Sequence, residues 1–252
     1  MNRIALVTDA ADGSGQAIAE RLARDGSTVV VTDVRLDVAQ RIADALNAVD
    51  LRATAVALDV TDESSVSAAY SAIEQRFGRL DILVNHASVR GPELGQFTRV
   101  EDTSLASWEH ALNVNLNGTF LMCRGAIPLM RRGGFGRVVN ISSRSARGRT
   151  VLPDSSYVAS KAALLGLSRV LANEVGQAGI TVNCIAPSWV SASGEGADGP
   201  GSNYFERSVG ESAVGRRAVP ADIAGAIAFL CSVGASFITG AVLDVNGGTF
   251  MT

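Results

Sequence analysis

Short apolar runs alternate along this chain with segments whose apolar positions recur every three or four residues. The runs Ile4–Thr8, Thr28–Asp33, Ala53–Leu58, Leu80–Asn85, Arg137–Ser142, Ile180–Ile185 and Ala241–Val245 read as strands. The segments Gly15–Arg24, Leu36–Leu46, Ser64–Phe77, Leu105–Met130, Ser155–Val175 and Ala221–Cys231 read as helices; in the first, Ile18, Ala19 and Leu22 share a face. Regular alternation of this kind predicts parallel βαβ units. The strands are apolar almost throughout, as expected of a sheet covered by helices on both faces. The pattern predicts an α/β fold, a doubly wound parallel sheet of about seven strands. No repeat or linker interrupts it, so residues 1–252 are expected to form a single domain. The loosest stretch, Ser191–Gly201, is rich in Gly, Ser, Ala and Asp. Because the alternation resumes after it, it reads as a loop or lid over a substrate, within residues 188–214.

Composition narrows the partners. At 252 residues, 47% hydrophobic and a net charge of -3, the chain is too apolar for disorder and long enough to bury a large core. No run of membrane-spanning length occurs. The apolar N-terminal stretch is too short for a signal peptide and lacks a cleavage site, so the chain reads as cytoplasmic. The pI near 5.5 and the lack of a basic stripe argue against nucleic acid. Cys123, Cys184 and Cys231 are odd in number, form no CxxC and are accompanied by only two histidines. They read as buried small hydrophobes rather than as disulfides or metal ligands. Against twenty-one arginines stands a single lysine, Lys161. An ammonium is a compact charge that does work a forked guanidinium cannot, which draws attention to that position.

The first strand runs into Thr8-Asp9-Ala10-Ala11-Asp12-Gly13-Ser14-Gly15 and then a helix. Glycines at such a turn let the backbone approach a pyrophosphate, and the helix N-terminus offers it unpaired N–H groups. Strand, glycine turn and helix at the start of an α/β chain point to a Rossmann-type dinucleotide site. Asp33 closes the second strand, twenty residues after Gly13. A carboxylate there accepts hydrogen bonds from the adenosine ribose hydroxyls and repels the 2′-phosphate of NADP. Val34 adds no positive charge, while Arg35, one position on, dissents. The balance favours NAD.

Tyr157 and Lys161 lie four residues apart in an expected helix, stacked one turn apart on one face. A free phenol ionises near 10, so roughly 4 kcal/mol must be supplied for it to act as a base near neutrality. A cation about 5 Å away at an effective dielectric of about 20 supplies roughly 3 kcal/mol. The protonated phenol equally serves as an acid toward a carbonyl oxygen. Taken alone the pair reads as an ordinary helix surface. After the fifth strand of a nucleotide-binding pattern, and with the only lysine, it reads as an acid/base centre.

Over nearly its whole length the chain resembles the one-domain branch of the short-chain dehydrogenase/reductases. The resemblance rests on motifs in order: the glycine turn, Asp59-Val60, Asn85-His86-Ala87-Ser88, Asn113-Val114-Asn115-Leu116, Asn140-Ile141-Ser142-Ser143, Tyr157 to Lys161, Asn183 to Ser188, and Gly247-Gly248. It implies that Ser143 hydrogen-bonds the substrate oxygen, Tyr157 is the acid/base, and Lys161 assists it and binds the nicotinamide ribose. It implies that Asn115 holds a water linking Lys161 to solvent. Asp9, Asp12, Gly13, Ser14 and Gly15 would form the cofactor turn, and Asp33 and Val34 would meet the ribose. Asp59 and Val60 would flank the adenine. Asn85 would support the fourth-strand backbone beside the cofactor, with Ala87 next to it, and after Pro187 the backbone of Val190 would meet the nicotinamide carboxamide. The family further implies a homotetramer, with the helix at Ser155–Val175 and its small residues in a dimer interface.

The departures are specific. Thr-Gly of the family's turn is Thr8-Asp9, Asn-Asn-Ala-Gly is Asn85-His86-Ala87-Ser88, and Pro-Gly is Pro187-Ser188. A threonine usually found shortly after the last is missing, with Ser191 or Ser193 as substitutes. Ser142 and Ser143 are ambiguous by one position, because the gap from Ser143 to Tyr157 is about one residue longer than the family pattern expects. The four catalytic positions are intact. The sequence therefore predicts an NAD(H)-dependent oxidoreductase that interconverts a small secondary alcohol and a ketone. Two alternatives stay open: a 3-oxoacyl-carrier-protein reductase, whose arginines between Arg131 and Arg149 would attract an acidic carrier, and a non-catalytic dinucleotide-binding scaffold or sensor. Arg147 and Arg149 could also meet an anionic substrate.

Overall fold

The computed structural model describes residues 2–11, 13–90, 98–149, 154–190, 210 and 212–251. Seven parallel strands form one sheet: β1 Ile4–Val7, β2 Thr28–Asp33, β3 Arg52–Ala57, β4 Ile82–Asn85, β5 Gly136–Ile141, β6 Ile180–Pro187 and β7 Val242–Val245, in the order β3-β2-β1-β4-β5-β6-β7. The strands are joined by α1 Gly13–Arg24, α2 Leu36–Asn47, α3 Glu63–Phe77, α4 Leu105–Leu112, α5 Thr119–Gly133, α6 Ser155–Val175 and α7 Pro220–Cys231. Alternate residues of β1 explain the layering. Ala5 and Val7 join a core with α1, α2 and α7, whereas Ile4 and Leu6 join a second core with α3, α5 and α6. With both faces covered, β1, β4 and β5 are buried from end to end.

Local chemistry sets the helix ends. Asp62 caps α3 by accepting the Ser64 N–H at 2.9 Å, and Gly78 ends it in the left-handed region. Ser104 caps α4 through the Ser107 N–H at 3.1 Å. Asp154 caps α6 through the Tyr157 N–H at 3.0 Å. Pro220 occupies the first turn of α7, where its missing N–H has no intrahelical partner to lose.

One element departs from the sequence pattern. The expected helix over Leu105–Met130 is not uniform: Asn113–Gly118 form a π-helical turn between α4 and α5, and α5 continues to Gly133. Gly118 accounts for the close passage there, because a Cβ on it would lie 2.7 Å from Val60 Cγ2. Apolar periodicity is nearly blind to one wide turn, since helical residues flank it on both sides. Elsewhere the boundaries move by one or two residues; α1 begins at Gly13 and β6 runs on to Pro187. The loop at Ser191–Gly201, most of the wider lid, Ser193 and Asp12 lie outside the described residues.

The sheet order reverses direction between β1 and β4. In a doubly wound sheet the crevice at the carboxyl ends of the strands on either side of that reversal is where ligands bind. Thr8, Asp33, Asn85, Ser143 and Pro187 all stand at or just past those ends.

Candidate active site

The glycine turn is built from backbone close to its limits. Asp9 takes φ 53 and Gly13 φ 48, both in the left-handed region. Aspartate tolerates that region better than most residues, so Asp9 keeps the turn where the family has glycine. Gly15 has no such freedom to give up: a Cβ there would overlap the Asp9 carbonyl oxygen and come within 3.0 Å of His86 Nδ1. At Gly13 a Cβ would meet nothing within 4 Å, so the turn presents bare backbone beside the start of α1. That open cradle and helix N-terminus fit a pyrophosphate. The Asp9 carboxylate lies 3.9 Å from His86 Nδ1, and the same nitrogen lies 2.9 Å from the Asp9 carbonyl oxygen. His86 is thus a packing and hydrogen-bonding partner of the turn.

Thr8 ties the turn to β4. Its hydroxyl accepts the N–H groups of His86 and Ala87, each at 2.9 Å. The turn is also tied to β2, through the Ala10 N–H to the Thr32 carbonyl at 2.8 Å. Asp33 follows, buried, with its carboxylate accepting the Arg35 N–H at 2.8 Å. The Arg35 guanidinium stands 3.8 Å from the same carboxylate, and Val34 is exposed.

On the other side of the crevice, α6 presents Tyr157 and Lys161. Both are buried, and the Lys161 Nζ is 5.7 Å from the Tyr157 ring centre. The ammonium donates to the Ile141 carbonyl at the end of β5 at 2.7 Å. Burial, and secondarily the Arg90 charge, lower the Lys161 pKa to about 7. The two candidate serines part here. Ser142 turns inward and donates to the Lys161 carbonyl at 2.8 Å, whereas the Ser143 hydroxyl accepts the Ser145 N–H at 3.2 Å. Ser142 therefore stitches β5 to α6 through its hydroxyl, which leaves Ser143 as the substrate-facing candidate.

Asn115, in the π turn, is fully buried. Its amide accepts the Val89 N–H at 2.8 Å and donates to the Val89 carbonyl and to Ser160 Oγ, both at 2.9 Å. Ser160 in turn donates to the Tyr157 carbonyl at 2.7 Å. Asn115 is thus a clamp that joins the segment after β4 to α6.

The remaining expected residues divide. Asn85 points into the core beneath the crevice, donating to Asn140 Oδ1 at 2.8 Å, so it shapes the site from below. Asp59 is exposed and accepts from both the N–H and hydroxyl of Thr61. Val60 is buried against Gly118. Val190 makes a parallel bridge with Ala218. Arg147 pairs with Asp244 at 3.2 Å, across the sheet edge. Three residues that the sequence reading passed over matter: Thr8 and Ser160 as hydrogen-bond hubs, and Arg90. Thr8 had a usable signal in its place directly before the glycine turn. Arg90 had none, being one of many arginines.

This arrangement places a dinucleotide cradle and a lysine-supported phenol at the carboxyl edge of one sheet. The comparisons agree with it. A family model described as enoyl-(acyl carrier protein) reductase matches residues 10–249. The chain is 39% identical over 250 residues to a D-threitol dehydrogenase of Mycolicibacterium smegmatis, covering 98% of this chain and 92% of that one. It is 35% identical over 251 residues to a 3-oxoacyl-[acyl-carrier-protein] reductase FabG of Pseudomonas aeruginosa, covering 99% and 98%. The crystal structure of gox2181 superposes with a TM-score of 0.92 at 29% identity, covering 98% of this chain and 95% of that one. The protein belongs to the short-chain dehydrogenase/reductases, oxidoreductases that work with a nicotinamide dinucleotide.

Proposed function

We propose that the protein is an NAD(H)-dependent dehydrogenase interconverting a small secondary alcohol and a ketone. The observation that carries this reading is the buried Lys161 ammonium, 5.7 Å from the Tyr157 ring and bonded to the end of the strand that leads to Ser143. The turn from Asp9 to Gly15 would hold the pyrophosphate, and Asp33 the ribose. When bound, the nicotinamide gives or takes the hydride. Tyr157 delivers its proton to the carbonyl oxygen during reduction and recovers it during oxidation. Ser143 holds that oxygen by a hydrogen bond. Lys161 stabilises the phenolate; a cation about 5 Å away at an effective dielectric of about 20 supplies roughly 3 kcal/mol. Asn115 keeps α6 in register with the segment after β4.

Replacing Tyr157→Phe removes the proton donor and leaves the ring. Ketone-dependent oxidation of NADH, followed by absorbance, is expected to fall by a factor of about 100 or more while dinucleotide binding persists. Unchanged turnover overturns the mechanism. Dinucleotide binding with no turnover by the wild-type protein across a broad ketone panel would instead identify a scaffold or sensor.

Similarity to the Pseudomonas aeruginosa reductase supports a second reading, a carrier-linked 3-oxoacyl substrate. The arginines offered for an acidic carrier are largely engaged within the chain. Arg132 pairs with Glu74, Arg131 donates to the Glu174 carbonyl, and Arg137 is buried. This favours a free small-molecule substrate. A higher kcat/KM for the carrier-linked substrate than for the free ketone would reverse the order.

A further inference from the structure

Arg90 stands apart from the other arginines near the crevice. Its backbone is held in place, because Asn115 takes both the N–H and the carbonyl of the preceding Val89. Its guanidinium lies 4.2 Å from the ring centre of Trp189, which follows β6, and 5.3 Å from that of Tyr157 on α6. Three separate segments therefore converge on it beside the candidate acid/base.

Arg147 and Arg132 meet carboxylates, and so do Arg79 and Arg216. Arg90 meets aromatic faces only: among the described residues no carboxylate or carbonyl lies within bonding distance of it. Cation–π contacts fix a guanidinium's position without using its N–H donors. Among the described residues its planar donor fork is therefore uncommitted, and it matches a carboxylate in shape. Its charge also adds to that of Lys161 at the reacting end of the crevice. A neutral substrate would leave that field uncompensated.

We propose that Arg90 determines specificity by receiving a carboxylate of the substrate, which places the substrate among short hydroxy acids and oxo acids. The idea rests on the dehydrogenase reading for its reacting group, but the anion site itself stands on the geometry of Arg90, Trp189 and Tyr157. The probes are 3-oxobutanoate and 4-oxopentanoate, each compared with its own methyl ester. In the wild type, the ratio of kcat/KM for acid over ester is expected to exceed one for at least one pair. In Arg90→Gln that ratio falls by about 10- to 100-fold, and Arg90→Lys restores part of it. An unchanged ratio overturns the proposal, whatever happens to the absolute rates.

Binding without turnover is measured separately. In a Trp108→Phe background Trp189 is the only tryptophan. Its fluorescence should change saturably with the acids, far less with the esters, and not in Arg90→Gln. If neither compound is reduced yet the acids still bind in this way, the anion site stands and the dehydrogenase reading is decided by the broader ketone panel. Equal binding of acid and ester, or no binding of either, removes the anion site.

Discussion

Lys161 is 2% exposed, and the same burial that aims its ammonium at the strand end works against its charge. With its pKa lowered to about 7, first by desolvation and then by Arg90, the folded chain binds fewer protons than the unfolded chain from about pH 7 to the ordinary lysine value of 10.5. Below pH 7 both states carry the charge, and the fold bears the full burial cost. The ligand-free protein should therefore gain stability from this residue as pH rises from 7 toward 10, and lose it as pH falls. Denaturant midpoints should show that rise in the wild type and a flatter profile in Lys161→Met. Equal slopes would mean that the ammonium is solvated. Asp33 makes a second prediction at this scale. Its buried carboxylate should favour NADH over NADPH, and Asp33→Ser should shift the affinity ratio toward NADPH by about tenfold or more. Fluorescence titration of both reduced cofactors reads this directly. Tighter NADPH binding by the wild type would mean that Arg35, not Asp33, governs the ribose end.

At the scale of elements, the glycine turn and the π turn both depend on atoms brought close without side chains between them. Gly15→Ala would drive a Cβ into the Asp9 carbonyl and to 2.9 Å from Ala10 Cα, main-chain atoms that cannot rotate aside. The start of α1 must then shift, at a cost of about 1–3 kcal/mol, and the cradle shifts with it. Dinucleotide affinity should fall at least about tenfold, with circular dichroism unchanged. Gly13→Ala meets open space and bears only the strain of its positive φ, about 1–2 kcal/mol. If the two variants bind dinucleotide equally, the turn is not the cradle. The π turn has a different job: it lets Asn115 point at Val89 while Gly118 passes Val60. Its widening belongs to the connection between β4 and β5.

For the molecule as a whole, two buried layers flank one sheet, and large apolar side chains remain outside them. Leu105 on α4, Phe120 on α5 and Val170 on α6 are exposed, as is Phe237 before β7. Scattered exposed apolar residues are ordinary. Three of those named lie on α4, α5 and α6, the last being the helix that the family resemblance places in a dimer interface. A homotetramer is the expected assembly. Light scattering coupled to size exclusion should give about four times the 26.1 kDa chain mass, and Phe120→Arg should lower it. A monomer at micromolar concentration would remove the expectation. Among the described residues no helix is long and apolar enough to cross a membrane.

The order of strands and helices, the parallel sheet and the pairing of Tyr157 with Lys161 were legible in the sequence. Each is written in local periodicity or in a fixed helical spacing, and both follow from backbone geometry alone. The left-handed tolerance of Asp9 was legible for the same reason. What needed the tertiary structure was every decision between neighbours in sequence that only distant partners can make. Ser142 and Ser143 are interchangeable on paper, and the Lys161 carbonyl on another element separates them. The helix over Leu105–Met130 looks uniform until Val60 and Val89 demand a wide turn. Arg90 is one cation among many until Trp189, Tyr157 and Asn115 gather around it. Hydrophobic period reports how a segment meets the core, whereas the environment of a polar group is set by chain that arrives from elsewhere.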